Sequence, residues 1–207
     1  CSRTLPEDDF ADHFDWVFLE ELKKLDEKPE PKMIVEMREQ SRRIFHKVFP
    51  ALQKLFPGYE VYSSEEGLYE AITELKFNRF MKGFIDLVVK TPDGKYHIID
   101  WKSCSWGWKA ERRTEKMTTY QLTLYKKFFC EKHGIDPGMV ETYFGLLKRT
   151  AKEDNVEIFR VTSGSRKTTS ATKVLTNACN LINKGVKVKN RNSCTYCPFN
   201  HTEHCKR

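Results

Sequence analysis

Apolar residues recur at helical spacing in the first part of the chain. Phe10, Phe14, Val17 with Phe18, Leu22 and Leu25 predict one amphipathic helix over residues 6–28, broken by Pro29 and Pro31. Phe45, Val48, Phe49, Leu52 and Phe56 form a single stripe along a second helix, 32–56, which Pro57-Gly58 ends. The period then shortens to two. Residues 59–63 and about 68–79 are predicted as strands. Residues 82–90 and 95–102 form the strongest strand pair, joined by the turn signal Pro92-Asp93-Gly94. A Trp- and Arg-rich loop (103–113), a helix (115–133), a second strand pair (140–148 and 156–162) and a helix (168–184) follow, with a cysteine-rich tail from 190 to 207. This order predicts an α/β (α+β) fold with a central mixed sheet flanked by helices. The chain divides into an N-terminal helical segment (1–31), a core (32–188) and the tail (189–207).

Composition narrows the class. With 207 residues, 39% hydrophobic and 31% charged, the chain has enough material for one substantial core and is not of the disordered type. No run of about 18 apolar residues predicts a membrane span, and no secretory leader is recognisable. The net charge of +7 is uneven. Residues 1–30 hold ten acidic and four basic groups, so the rest of the chain is strongly basic. A basic body suits a polyanion such as nucleic acid, or equally a solvated surface. Seven scattered cysteines do not read as a secreted disulfide framework. With three of them in the last fourteen residues, they point to a metal site in a reducing, cytoplasmic compartment.

Three charged groups interrupt the apolar strand pair "GFIDLVVKTPDGKYHIIDWKS": Asp86, Asp100 and Lys102. A charge in a buried strand costs several kcal/mol unless something binds it. Alternation puts Asp100 and Lys102 on one face, and Asp86 with Phe84 and Val88. If the strands pair as a hairpin, the two aspartates converge. Two carboxylates at one spot repel unless a cation bridges them, and an oxygen-rich site suits Mg²⁺ or Mn²⁺. Such a metal polarises a phosphoryl oxygen and lowers the pKa of bound water. The lysine is placed to orient that water and stabilise charge on the phosphate. A surface ion pair between Asp100 and Lys102 is the plainer reading of the same residues.

An Asp on one strand and a D-x-K on the next resemble the PD-(D/E)XK nuclease superfamily. His46 in the preceding helix ("SRRIFHKVFP") and Gln121 with Tyr125 in the following one ("YQLTLY") are similar to the RecB-like branch, which includes AddB-type recombination nucleases and CRISPR-associated exonucleases. Gln121 and Tyr125, at i and i+4, share a helical face. The resemblance covers about residues 40–130. It implies a restriction-endonuclease-like core in which Asp86, Asp100, His46 and the backbone carbonyl of Trp101 hold the metal. It implies that Lys102 orients the nucleophilic water, and that Gln121 and Tyr125 line the site. Many members add a glutamate from the first strand, for which Glu65, Glu66, Glu70 and Glu74 compete.

The loop after Lys102 mixes Trp106, Trp108, Lys109, Arg112 and Arg113, which suits stacking on unpaired bases and contact with phosphates, or a tryptophan-anchored surface loop. In the tail, "CTYCPFNHTEHC" carries Cys194, Cys197 and Cys205. A C-x2-C pair with a third cysteine nearby is a metal signal, completed by His201 or His204 for zinc or by Cys1 for an iron–sulfur cluster. The resemblance favours a 4Fe-4S cluster on Cys1, Cys194, Cys197 and Cys205 that staples the chain ends. Cys104, Cys130 and Cys179 read as small buried apolar residues.

The function expected from these readings is a metal-dependent deoxyribonuclease, an exonuclease on DNA ends or single strands in recombination, repair or replication. A separate helicase or recombination protein would supply any motor. The alternatives are a catalytically silent DNA-binding module of the same fold and an RNA endonuclease. Viral and cellular settings both remain open.

Overall fold

Proline and glycine set the element boundaries. The computed structural model describes residues 7–27, 29–188, 194–195 and 197–205. Helix α1 (Glu7–Lys23) precedes α2 (Pro31–Leu55), whose first turn holds Pro31, where the missing N–H has no intrahelical partner to lose. The buried Asp15 fixes α1 on α2. Arg38 donates to both of its carboxylate oxygens at 3.1 and 2.7 Å, and Arg42 donates at 2.6 Å. The Phe14 and Phe45 rings pack 5.0 Å apart beside that ion pair.

The remaining elements are β1 (Glu60–Ala71), β2 (Phe80–Lys90), β3 (Tyr96–Cys104), α3 (Ala110–Thr114), α4 (Lys116–His133), β4 (Val140–Lys148), β5 (Val156–Val161) and α5 (Ser165–Asn183). The two strands expected over 59–79 are one strand of 12 residues followed by a turn. Its "SSEEG" stretch lacks apolar alternation, but it pairs with β2 from Glu60↔Lys90 to Ala71↔Phe80. Backbone pairing with a strong neighbour overrides the weak pattern. The Pro92-Asp93-Gly94 turn forms as expected. Gly94 takes φ +83°, and its N–H donates to the Thr91 carbonyl at 2.8 Å. Helix α4 is bounded by Glu115, which accepts from the N–H groups of Met117 and Thr118, and by Gly134 in the left-handed region.

The five strands form one mixed sheet in sequence order, antiparallel except for the parallel β3–β4 pair that α4 bridges. On one face α4 packs Leu122, Phe128 and Phe129 against Val88, Ile98, Phe144 and Leu146. On the other, α2 packs Leu52 and Phe56 against Val89, Ile99 and Tyr143. This is the restriction-endonuclease-like α/β architecture that the sequence predicts. Among the described residues no helix is long and apolar enough to cross a membrane.

The register places the site. Strand β2 pairs with β3 only from Leu87↔Ile99 to Lys90↔Tyr96. Beyond that point β3 stays with β4 as far as Cys104↔Lys148, while β2 stays with β1 as far as Phe80. The sheet therefore splits, and a two-stranded arm leaves it. The split begins at Asp86 and Asp100, the next facing pair in the register.

Candidate active site

Asp100 sits where β3 loses β2 as a neighbour. It is 2% exposed and shares a face with Ile98, against the α4 core. Lys102, two residues on, returns to the same face and brings its ammonium 2.7 Å from Asp100 Oδ2. The contact is an ion pair at an oblique angle. Oδ2 is buried with no hydrogen-bond donor aligned on it among the described residues.

Asp86 reaches across the split, and its Oδ2 accepts the Trp101 backbone N–H at 2.6 Å. The carboxylate thus takes the place of a ladder carbonyl at the first rung that is missing. Strict alternation does not hold here. Ile85 and Val88 both join the α4-side core, while Leu87 packs on the α2 side, so β2 rolls over around Asp86. The face-sharing of Asp86 with Phe84 and Val88 expected from the sequence is therefore corrected.

Burial pushes the Asp100 carboxyl above the usual carboxylate range; the Lys102 ammonium opposes this, and the charge of Asp86 adds to it. Burial wins because Asp100 has lost nearly all its water while Lys102 remains about one-third exposed. The result is a destabilised carboxylate, held by one ammonium, beside a second carboxylate. That donor set fits a hard divalent cation such as Mg²⁺ or Mn²⁺.

Helix α4 supplies the adjoining wall. Gln121 Nε2 donates to Tyr125 Oη at 3.0 Å, so the i, i+4 pair acts as one unit. The Tyr125 ring lies against Gly83 of β2, where a Cβ would meet it at 2.9 Å. On the opposite face the Trp101 ring lies flat on Gly145, leaving no room for a Cβ. Gly83 and Gly145 therefore set the positions of residues beside the two aspartates. A lone glycine inside an apolar strand was the available signal for both.

Other sequence-predicted residues fall differently. His46 is exposed on α2, and the structure does not gather it with Asp86 and Asp100. Among the described residues no group of three or more His, Cys, Asp or Glu is arranged to hold a metal ion. Of the four glutamates, Glu66 is engaged by Lys132 and His133 at 2.6 and 2.9 Å, and Glu74 by Lys127 at 3.1 Å. Glu65 is exposed on β1 at φ +50°.

The loop after Lys102 is divided. Trp108 is buried against Phe144, and Arg113 donates to the Trp108 carbonyl and pairs with Glu157 at 2.7 Å, so these two anchor the loop. Trp106, Lys109 and Arg112 remain exposed. They border a groove of about 540 Å³ that begins at Ser103, directly after Lys102.

In the tail, Cys194, Cys197 and Cys205 are half-buried in tight turns and are not arranged to hold a metal. Cys1 lies outside the described residues. The described residues thus give a cluster or a zinc ion no support. Cys130 is buried, its thiol pushed up to about 11 by that burial, and Cys104 and Cys179 pack partly buried on the same core.

A family model described as the PD-(D/E)XK nuclease superfamily matches residues 3–202. A solved structure described as a "Putative exonuclease" from Eubacterium rectale has a TM-score of 0.55 at 14% identity, covering 100% of this chain and 78% of that one. The crystal structure of SSO0001 has a TM-score of 0.47 at 13% identity, covering 93% and 77%. No curated protein matches the chain.

Proposed function

The chain belongs to the PD-(D/E)XK nuclease superfamily, and on that premise we propose that it is a metal-dependent DNA nuclease, an exonuclease acting on ends or single strands. The observation that carries this reading is the meeting of Asp86, Asp100 and Lys102 at the point where β2 and β3 separate. A structural ion pair would not need a second carboxylate beside it. The solved neighbour described as a "Putative exonuclease" agrees with the reading at the level of fold.

The geometry supports the following roles. Asp86 and Asp100 supply oxygens for Mg²⁺ or Mn²⁺, with the Trp101 carbonyl as a further donor. A bound divalent ion would polarise a phosphoryl oxygen and make water a better nucleophile. Lys102 is held beside Asp100 but keeps its head in reach of solvent, where it can orient water and carry negative charge developing on phosphate. Asp86 also fixes the β3 backbone through the Trp101 N–H, so the two aspartates hold a set separation. Gln121 and Tyr125 form a polar wall for the strand being cut. Trp106, Lys109 and Arg112 offer an aromatic and basic surface beside it.

The test is cleavage of end-labelled single-stranded DNA, duplex DNA and RNA in Mn²⁺, Mg²⁺ or EDTA, for the wild type and Lys102→Ala. The expected result is metal-dependent loss of DNA that the variant does not support, with a product ladder that gives polarity. DNA binding without cleavage in every metal would overturn the reading.

A further inference from the structure

The pairing of β3 with β4 continues past the last rung of the ladder, Cys104↔Lys148. The Arg149 N–H donates to the Cys104 carbonyl at 2.8 Å. The Thr150 N–H and hydroxyl both donate to the Ser105 carbonyl, at 3.1 and 2.8 Å. The turn after β4 and the loop after Lys102 are therefore zipped side by side. Gly107 then takes φ +123°, which side-chain-bearing residues rarely adopt, and the chain turns sharply between two tryptophans. Trp108 goes into the core against Phe144, while Trp106 stays 73% exposed. Both segments line the groove of about 540 Å³: Arg149 from the turn, and Trp106, Lys109 and Arg112 from the loop and the start of α3.

Phe144 joins this groove to the active site. The Lys102 ammonium lies 6.0 Å from the centre of its ring, and the Trp108 ring centre lies 5.1 Å from the same ring. Phe144 and Trp108 belong to the α4-side core, the side on which Asp100 and Lys102 stand. The charge of the groove is unspent. Nearby, Lys148 and Arg113 are both taken up by Glu157, at 3.6 and 2.7 Å. Lys109, Arg112 and Arg149 form no ion pair among the described residues, and Glu111, the one carboxylate on the lining, pairs with none of them. Arg112 lies over the Trp108 ring at 4.7 Å, which fixes it at the groove wall. An exposed indole among unpaired cations is the chemistry that holds an unpaired base and its phosphates. About 540 Å³ is within the range of clefts that take one small ligand, so the groove suits one nucleotide unit of a strand and not a duplex.

We infer that this groove is a single-strand subsite for a nucleotide beside the cut. Its base stacks on Trp106, and its flanking phosphates are held by Arg149 and Lys109 from opposite segments. The inference rests on the nuclease reading for the nature of its ligand. It goes beyond that reading by making the turn after β4 part of the binding surface and by separating base contact from phosphate contact.

The test is fluorescence anisotropy with a labelled single-stranded oligonucleotide in EDTA over a range of salt, and with the same sequence as a duplex. The proteins compared are the wild type, Arg149→Ala, Arg149→Lys and Trp106→Ala. On a single strand, log affinity falls against log salt with a slope of about −0.7 per phosphate contact. Arg149→Ala is expected to lose about 0.7 of that slope, and Arg149→Lys, which keeps the charge, to retain it. Trp106→Ala is expected to lower single-strand affinity about tenfold with the slope unchanged, and to leave duplex affinity as it was. Arg149 is exposed and ties the two segments through its backbone N–H, so its variants keep that bond. An unchanged slope in Arg149→Ala, an equal loss of slope in Arg149→Lys, or equal losses for single strand and duplex in Trp106→Ala would each overturn the inference. Because binding is read in EDTA, single-strand binding through Arg149 and Trp106 with no cleavage in any metal would sink the nuclease reading alone. Lys102-dependent cleavage with binding indifferent to both residues would sink the subsite alone.

Discussion

Asp100→Asn should make the metal-free protein more stable while removing its activity. The wild-type carboxyl is 2% exposed, faces a like charge on Asp86 and has one oxygen with no aligned donor. Its ion pair with Lys102 offsets part of that penalty but does not reverse it, since the carboxyl is still pushed upward. A carboxyl raised in the folded state contributes its full stability below its unfolded pKa and loses it as pH rises through the folded one. At neutral pH the wild type has therefore lost stability that the neutral amide keeps. Relieving one such site is worth about 1 kcal/mol, or a rise of about 2–4 °C in Tm for a chain of this size.

The assay is thermal melting in EDTA at neutral pH, repeated at a pH below the usual carboxylate range, where the difference should vanish. In Mn²⁺ at about 100 times its dissociation constant the wild type should gain about 2.7 kcal/mol and the variant much less, which reverses the order. A variant that melts lower than the wild type in EDTA would show that Asp100 is a net stabilising charge. The argument from a destabilised carboxylate would then fail.

Lys102→Met should abolish cleavage yet keep DNA binding, and should lower stability by about 2 kcal/mol because Asp100 is left buried without its counter-charge; activity assays and melts read the two effects. Gly145→Ala should displace the Trp101 ring, with a loss of about 1–3 kcal/mol by melting. It should also lower cleavage, since Trp101 lies between Asp100 and Lys102; full activity would refute that link. Arg113→Ala should lower Tm with single-strand affinity intact, because Arg113 ties Trp108 to Glu157. Trp106→Ala should do the reverse, lowering affinity with Tm unchanged, because Trp106 is 73% exposed. Equal behaviour of the two would refute the division of the loop.

The sequence by itself determined most element types, the Pro92-Asp93-Gly94 turn and the D…DxK pattern, but not the short helix α3 inside the expected 103–113 loop. These rest on local properties: side-chain period, backbone preferences of proline and glycine, and the anomaly of charge within an apolar strand. It also marked Cys130 as a core residue, since a small apolar side chain in an amphipathic helix has few other places to go. Only the tertiary structure decided that β1 is one strand, because a polar edge strand is specified by its partner's backbone and not by its own pattern. It decided too that Trp108 and Arg113 are anchors while Trp106, with the same chemistry, stays in solvent. Burial depends on what the chain brings alongside, here Phe144 and Glu157. The split between β2 and β3 was likewise out of reach. Alternation assumes a regular ladder, and the site exists where the ladder stops and a carboxylate takes the place of a carbonyl.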